Sequence, residues 1–222
     1  MRAANRMLMA GGGSMQQTEK VAWFKRTEYD RSDSETRTQL LEASERVIGA
    51  VGYAKASIAR ITDEAGVARA TFYVYFKSRQ EVFRVLTEEL IAGSEAAQRV
   101  QGVDRADVLA IISSSIRTIL ELYTSKAGLM TVIEQQSRLD ENVRELWETF
   151  WHGQIRNSRV FVTRLQDEGR SDPDVDAEFA SESMTAVLFH YGLRNAGAST
   201  ERIEALASQL TQVYRRLIGL RD

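Results

Sequence analysis

The chain has 222 residues and a formal net charge of −2, so any surface that binds a polyanion must be a local one. It contains no cysteine, which excludes disulfides, thiol catalysis and thiolate zinc sites. A single proline among many alanine, leucine, glutamate and arginine residues favours an all-α fold. No run of about 18 apolar residues is present. The sequence therefore predicts no membrane-spanning segment and fits a cytoplasmic protein.

Residues 1–33 show no sustained helical or strand period and contain the flexible stretch Gly11–Ser14. We interpret this segment as a flexible N-terminal arm, and Met15 within it is a second candidate for the functional start. An arm that reaches phosphates or a minor groove is the alternative interpretation.

Apolar residues at helical spacing predict a first helix that starts near Ser34 and ends at Gly52. Ser57 can cap a second, short helix, and Gly66 suits a tight turn with positive φ after it. A third short helix follows, up to about Ser78. Short helix, glycine turn and short helix form the pattern of a helix-turn-helix DNA-binding motif, in which the later helix reads the DNA.

The third helix has two unlike faces, because Phe72 and Phe76 lie four residues apart on the side that can enter a core. The other side offers a guanidinium, a phenol, small residues and an ammonium, which suit a helix pressed into a DNA groove. The residues assigned to DNA binding are Ser57, Arg69, Ala70, Thr71, Tyr73, Val74, Tyr75 and Lys77. We expect phosphate contacts from the tyrosines and the lysine. For Arg69 and Thr71 two interpretations stay open. The side chain contacts a base or a phosphate, or it is solvated and makes no DNA contact.

As a block, residues 36–83 resemble the TetR family of bacterial transcriptional regulators. The matching pieces are Leu41-Glu42-Ala43, Val51-Gly52-Tyr53, Ile58 with Ile61, Ala65-Gly66-Val67, Thr71-Phe72-Tyr73, Tyr75-Phe76 and Lys77-Ser78-Arg79-Gln80-Glu81. The chain departs from the family pattern at Ala56, Ala68 and Ala70. At Ala68 the family usually has a serine that caps the recognition helix, and the loss of this cap removes ~1 kcal/mol.

Apolar periodicity predicts a helix from Arg79 to about Arg99. The resemblance implies that this helix joins the DNA-binding helices to a ligand-binding domain. It also implies that the tilt of this helix sets the distance between the two recognition helices of a dimer. The resulting domain organisation is an arm (1–33), a DNA-binding domain (34–78), a connecting helix (79–100) and a ligand-binding and dimerisation domain (101–222).

The pattern of the C-terminal domain predicts five further helices, beginning near Asp104, Leu129, Asp140, Pro173 and Ser199. The last two helices, within about 174–218, carry apolar stripes that include Phe179 and Val213. Such helices can pair with the same two from a second copy. We favour a homodimer because one helix-turn-helix contacts only a half-site. The alternative is that these stripes only close the core of the monomer.

Large apolar and a few polar side chains of this domain suggest a pocket for a small hydrophobic effector with a polar handle. The residues assigned to it are Met130, Glu134, Trp147, Phe150, Trp151, Phe161, Met184 and His190. An aromatic stripe at helical spacing is more often plain core, and His190 is equally a candidate core or interface histidine. In the resembled family, such a ligand shifts the spacing of the readers and releases DNA.

The sequence contains no catalytic constellation, phosphate-binding glycine loop or metal-ligand spacing, so we expect no enzyme, no cofactor and no metal. The leading interpretation is a homodimeric, ligand-responsive repressor that binds a palindromic operator in double-stranded DNA. One alternative is an effector-independent DNA-binding organiser or adaptor of the same fold. Another is a helical enzyme or ligand carrier with a vestigial reader.

Overall fold

The computed structural model describes residues 35–98 and 106–221, so the predicted arm, the Ser34 helix start and the Asp104 cap lie outside the described residues. Within the described residues the chain forms nine α-helices and no strand, and the all-α prediction is confirmed. The helices are α1 Glu35–Val51, α2 Ile58–Ala65, α3 Arg69–Tyr75, α4 Arg79–Ala97, α5 Val108–Ser125, α6 Ala127–Ser137, α7 Glu141–Asp167, α8 Ala177–Arg194 and α9 Thr200–Leu217.

The first three helices form a unit around one apolar core. Leu40 and Ile48 of α1 are completely buried there, as are Ile61 of α2 and Phe72 of α3. Phe76, just after α3, is also buried, which confirms the predicted core face of this helix. The opposite face of α3 is thereby left on the surface of the unit.

Local capping interactions delimit these helices as the sequence predicts. The Ser57 side chain accepts a hydrogen bond from the Arg60 N–H at the start of α2. Gly66 ends α2 in the left-handed region, at φ 66° and ψ 29°. Ala68 occupies the cap position of α3 in an extended conformation and has no side-chain oxygen to offer.

The connecting helix α4 runs from this unit into the C-terminal bundle, where it packs on α5 and α7. Its predicted stripe is buried at Val82, Phe83, Leu86 and Leu90. A second connection joins α1 to α6. Helix α6 begins at Ala127, two residues before the predicted start at Leu129, so Gly128 lies inside the helix. A Cβ on Gly128 would lie 3.2 Å from Gly49 Cα, so glycine allows close approach of the two helices.

Two other helix starts differ from the prediction. Helix α5 begins later than expected because the side chain of Asp107 accepts a hydrogen bond from the Ala110 N–H and caps it. Helix α8 begins at Ala177 instead of Pro173. The residues before it form a turn that α7 stabilises, because Gln166 Nε2 of α7 donates hydrogen bonds to the carbonyls of Asp172 and Val175.

The C-terminal bundle centres on α5, which packs against both α8 and α9. The α9 stripe at Ile203, Leu206 and Leu210 is buried within the monomer. Phe179 and Val213, which the sequence pattern places on the apolar stripes of these two helices, are 65% and 50% exposed, because each lies beside its helix's buried face. The inward stripes therefore close the core of the monomer, and a partner subunit could use only the outward faces.

Candidate nucleic-acid interface and ligand cavity

The outward face of α3 brings together four of the residues assigned to DNA binding. Ser57, Arg69, Tyr73 and Lys77 border one shallow surface depression, to which Arg79 and Gln80 also contribute. Arg69 Nη2 lies 3.5 Å from the Tyr73 hydroxyl, at the outer limit of a hydrogen bond. A guanidinium, a phenol and an ammonium thus share one concave patch, and all three can bind phosphate oxygens or base edges.

The other four assigned residues lie around the same helix but do not line this depression. Ala70 and Val74 are exposed, so their small side chains let the helix approach a flat or grooved partner closely. Thr71 and Tyr75 are half-buried, and Tyr75 packs partly against the core. Each therefore presents only part of its side chain at the surface.

Arg79 holds together the helix-turn-helix unit that presents this face. From the sequence, Arg79 was recognised only as one of the residues that carry the family resemblance. Its guanidinium donates hydrogen bonds to the carbonyl oxygens of Tyr53 at 2.9 Å, Ala56 at 3.1 Å and Ala54 at 3.3 Å. The same guanidinium lies 4.2 Å from the centre of the Tyr53 ring, a cation–π distance. The start of α4 is thereby tied to the turn between α1 and α2.

Two hydrogen bonds that run in opposite directions hold the junction between α3 and α4. Ser78 Oγ accepts a hydrogen bond from the Glu81 N–H, and the Glu81 carboxylate accepts one from the Lys77 N–H at 2.6 Å. The backbone of Lys77 is therefore fixed, while its exposed side chain can extend towards a partner.

The C-terminal domain contains a cavity of about 130 Å³ among α4, α5, α7, α8 and α9. Its apolar walls include Ile111, Ile112, Ile116, Ile119, Met184 and Leu188. Its polar lining includes Gln98, Gln154, Asn157, Ser158, Thr185 and Tyr214. The lining thus combines a mainly apolar body with a cluster of neutral hydrogen-bonding groups.

Two of the residues assigned to ligand binding, Phe161 and Met184, line this cavity, and the other six do not. Trp147 stacks on Phe150, with ring centres 4.9 Å apart, and both pack edge-on against Trp151. These three form an aromatic cluster of the core.

The remaining three assigned residues have different surroundings. Met130 is completely buried. Glu134 pairs with Arg138 at 3.1 Å on the surface of α6. His190 is exposed and lies edge-on to Tyr191.

Sequence reasoning missed the polar residues of the cavity, although one signal was present. Gln154 and Ser158 continue the inward spacing of α7 between Phe150 and Phe161, where apolar residues would be expected. Polar side chains in an inward stripe indicate a buried polar site.

Two buried tyrosines border the cavity as neutral groups. Burial raises the pKa of the Tyr123 phenol well above its usual value. Burial likewise raises the pKa of Tyr214, whose hydroxyl lies 2.7 Å from Ser158 Oγ. Both phenols therefore stay protonated at neutral pH.

In residues 35–98 and 106–221, no cluster of three or more acidic or histidine side chains has the arrangement of a metal site. None of the helices in that part of the chain is long and apolar enough to cross a membrane.

Comparisons with known proteins agree with this geometry. Residues 40–86 match the sequence profile described as bacterial regulatory proteins, tetR family. The transcriptional repressor AcnR of Corynebacterium efficiens is 24% identical over 182 residues, covering 82% of this chain and 93% of AcnR. The transcriptional regulator BetI of Yersinia pestis is 24% identical over 188 residues, covering 77% of this chain and 86% of BetI.

Solved structures share the fold. The fatty acid degradation regulator FadR of Bacillus halodurans has a TM-score of 0.71 at 18% identity, covering 85% of this chain and 99% of FadR. GusR of Salmonella enterica has a TM-score of 0.67 at 19% identity, covering 84% of this chain and 98% of GusR. The profile match and the relatives named as transcriptional repressors and regulators support a DNA-binding transcriptional regulator, a class distinct from enzymes. Residues 40–86 thus match the DNA-binding region of the tetR family of bacterial regulatory proteins, and the chain as a whole resembles regulators of that kind.

Proposed function

We propose that the protein is a cytoplasmic, homodimeric repressor that binds a palindromic operator and is released by a small effector. In this proposal residues 34–78 bind DNA and residues 101–222 bind the effector and the second copy. Residues 79–100 form the helix that connects these two domains. The observation that carries the proposal is the shared patch of Arg69, Tyr73 and Lys77 on a helix whose opposite face is locked in the core.

The DNA-binding role follows from the chemistry of that patch. Tyr73 and Lys77 contact phosphates, while Arg69 and Thr71 reach base edges in the major groove. Since phosphate contacts release counterions, affinity should fall steeply as salt is raised. The repressor direction rests on relatives that are named as repressors.

The dimer would form through the outward faces of α8 and α9. Phe179, Ser183 and Ala186 lie near one outward line of α8. An exposed aromatic ring beside small residues favours a helix of a second copy packed closely against this line. A dimer is also required by the reader, because an operator is recognised through two half-sites about one helical turn apart.

Two contacts link the C-terminal bundle to the DNA-binding helices, and an effector can act on DNA binding through them. Gln98 at the end of α4 borders the cavity, so a ligand there can bias the tilt of the connecting helix. On the other side of the bundle, Lys126 Nζ lies 2.6 Å from the Glu45 carboxylate and joins the junction of α5 and α6 to α1. An effector releases DNA only if it binds more tightly to the conformation in which the distance between the two recognition helices does not match the operator. The cavity also argues against an effector-independent organiser, which needs no such space.

Selection of duplexes from a random DNA pool with the purified protein tests the proposal and does not require a defined operator sequence. The expected result is a symmetric motif of two half-sites, bound by an even number of copies and weakened by added salt. Enrichment of a single asymmetric site by a monomer, or no enrichment by a protein shown to be folded and dimeric, would contradict it.

A further inference from the structure

Three side-chain amides meet at the polar end of the cavity, and we call Gln98, Gln154 and Asn157 the amide triad. Gln98 Nε2 donates to Gln154 Oε1 at 2.5 Å, and Asn157 Nδ2 donates to Gln98 Oε1 at 2.6 Å. These bonds orient the Gln154 amide by occupying its oxygen. They also tie the end of α4 to the middle of α7.

The remaining donor of the triad is unused. Gln154 is 2% exposed, and its Nε2 has no hydrogen-bond partner in the described part of the chain. A buried amide donor without a partner is costly, and native proteins rarely keep one without a reason. Since Gln154 borders the cavity, a small shift of its amide brings this N–H to an acceptor placed there.

The rest of the lining defines what kind of molecule would carry that acceptor. Every described residue that lines the cavity is uncharged, so a charged ligand would lose its hydration without gaining an ion pair. The isoleucines of α5 surround an apolar body. A volume of about 130 Å³ suits a molecule of roughly the size of benzene, which an apolar cavity of ~150 Å³ is known to hold.

We propose that the cavity binds a small neutral molecule with a compact apolar body and one hydrogen-bond acceptor, such as a carbonyl oxygen, and that Gln154 Nε2 donates to this acceptor. The inference rests on the proposed effector response and adds the chemical class of the effector. Gln98 and Asn157 act as positioning residues, because they hold the Gln154 amide with its nitrogen towards the ligand.

Three probes of nearly equal size and shape test the proposal on the full, DNA-free protein. They are cyclohexanone, a neutral acceptor; methylcyclohexane, which has no polar group; and cyclohexylammonium, a charged donor. Dissociation constants come from ligand-detected NMR. One added hydrogen bond predicts that the ketone binds about 5- to 10-fold more tightly than the hydrocarbon. The ammonium should not bind.

The matched variants are Gln154→Met, which keeps the length of the side chain, and Gln135→Met, which removes an exposed amide of α6. Gln154→Met should bind both neutral probes but lose the preference for the ketone, whereas Gln135→Met should keep it. Gln154→Leu repeats the test with a second shape. Equal binding of ketone and hydrocarbon by the unmodified protein, an undiminished preference in both Gln154 variants, or binding of the ammonium would overturn the proposal.

A second readout separates this inference from the proposed function. The affinity for a selected DNA site is measured with and without saturating cyclohexanone. Selective ketone binding with unchanged DNA affinity supports the ligand class and contradicts the effector response. Tight binding of a palindrome together with no selectivity among the probes overturns the ligand class and leaves the DNA-binding function intact.

Discussion

At the scale of single residues, Arg79 stabilises the helix-turn-helix frame from outside the reading helix. Its planar guanidinium serves three carbonyl oxygens and the face of the Tyr53 ring. The Tyr53 ring in turn lies 4.7 Å from that of Phe83 in α4. One side chain therefore joins the turn after α1 to the first residue of α4.

We expect Arg79→Lys to lower the free energy of unfolding by about 1–3 kcal/mol, because the lysine nitrogen is one bond short of the Nη1 that makes all three hydrogen bonds and has no planar group to stack on Tyr53. Denaturant unfolding measures the loss. Arg84→Lys is the control, since Arg84 makes an exposed pair with Glu88 and its replacement should cost under about 0.5 kcal/mol. Equal losses in the two variants would contradict the role of Arg79.

The buried phenol of Tyr123 makes stability depend on alkaline pH. Because burial raises its pKa in the folded protein, the unfolded chain loses this proton first as pH rises above the ordinary value of 10. The stabilisation is complete below that pH and decreases above it, by up to about 1.4 kcal/mol per pH unit for one tyrosine. Tyr123→Phe should therefore show a shallower decline above pH 10 in unfolding measurements.

Tyr73→Phe is the matched control for this effect, because Tyr73 is half exposed. It should retain the slope of the unmodified protein. An unchanged slope in Tyr123→Phe would show that the Tyr123 phenol does not cause the decline.

At the scale of helices, the features predicted correctly from sequence are local ones. The caps at Ser57, Gly66 and Asp140 depend on residues within a few positions, so the sequence pattern contains the whole interaction. The start of α8 is also capped locally, because the side chain of Asp176 accepts hydrogen bonds from the N–H groups of Glu178 and Phe179. Only the turn before this cap depends on Gln166 of the preceding helix, which no local pattern reveals.

The cavity was harder to predict for a related reason. Trp147 and Phe161 follow the same inward period along α7, yet one joins an aromatic cluster and the other lines the cavity. Which of them meets empty space depends on the crossing of five helices. The polar Gln154 within that period was the readable signal, because a buried amide needs a partner.

The missing cap of α3 provides a prediction about a whole helix. Ala68 has the extended conformation of a cap residue, φ −68° and ψ 147°, and its side chain is exposed. Ala68→Ser should therefore raise the free energy of unfolding by about 0.5–1 kcal/mol. Ala70→Ser, at an exposed position inside the same helix, should not stabilise. Equal effects in denaturant unfolding would contradict the capping argument.

At the scale of the whole molecule, two connections join the unit of the first three helices to the C-terminal bundle. They are α4 and the glycine contact between α1 and α6. A homodimer would hold two such units at a fixed distance. Its interface would have to cover the exposed ring of Phe179, because the apolar stripes below it already pack inside the monomer.

Phe179→Asp should therefore shift the protein from dimer to monomer without unfolding it, since the side chain is largely exposed within one chain. Sedimentation at several protein concentrations measures the association. Leu139→Asp is the control, because Leu139 is an exposed apolar residue between α6 and α7, away from the proposed interface. Unchanged association of Phe179→Asp would exclude this face as the dimer contact.

The measurement that tests the central claim most directly is the affinity of reading-face variants for a selected site and for random DNA, over a series of salt concentrations. Tyr73→Ala and Lys77→Ala should weaken binding to both DNAs alike, and Lys77→Ala should reduce the salt slope by about one. Arg69→Ala should lose more on the selected site than on random DNA. Arg138→Ala, on the surface of α6, should change nothing. Unchanged affinity and salt slope in folded Tyr73 and Lys77 variants would contradict the claim that this face of α3 binds DNA.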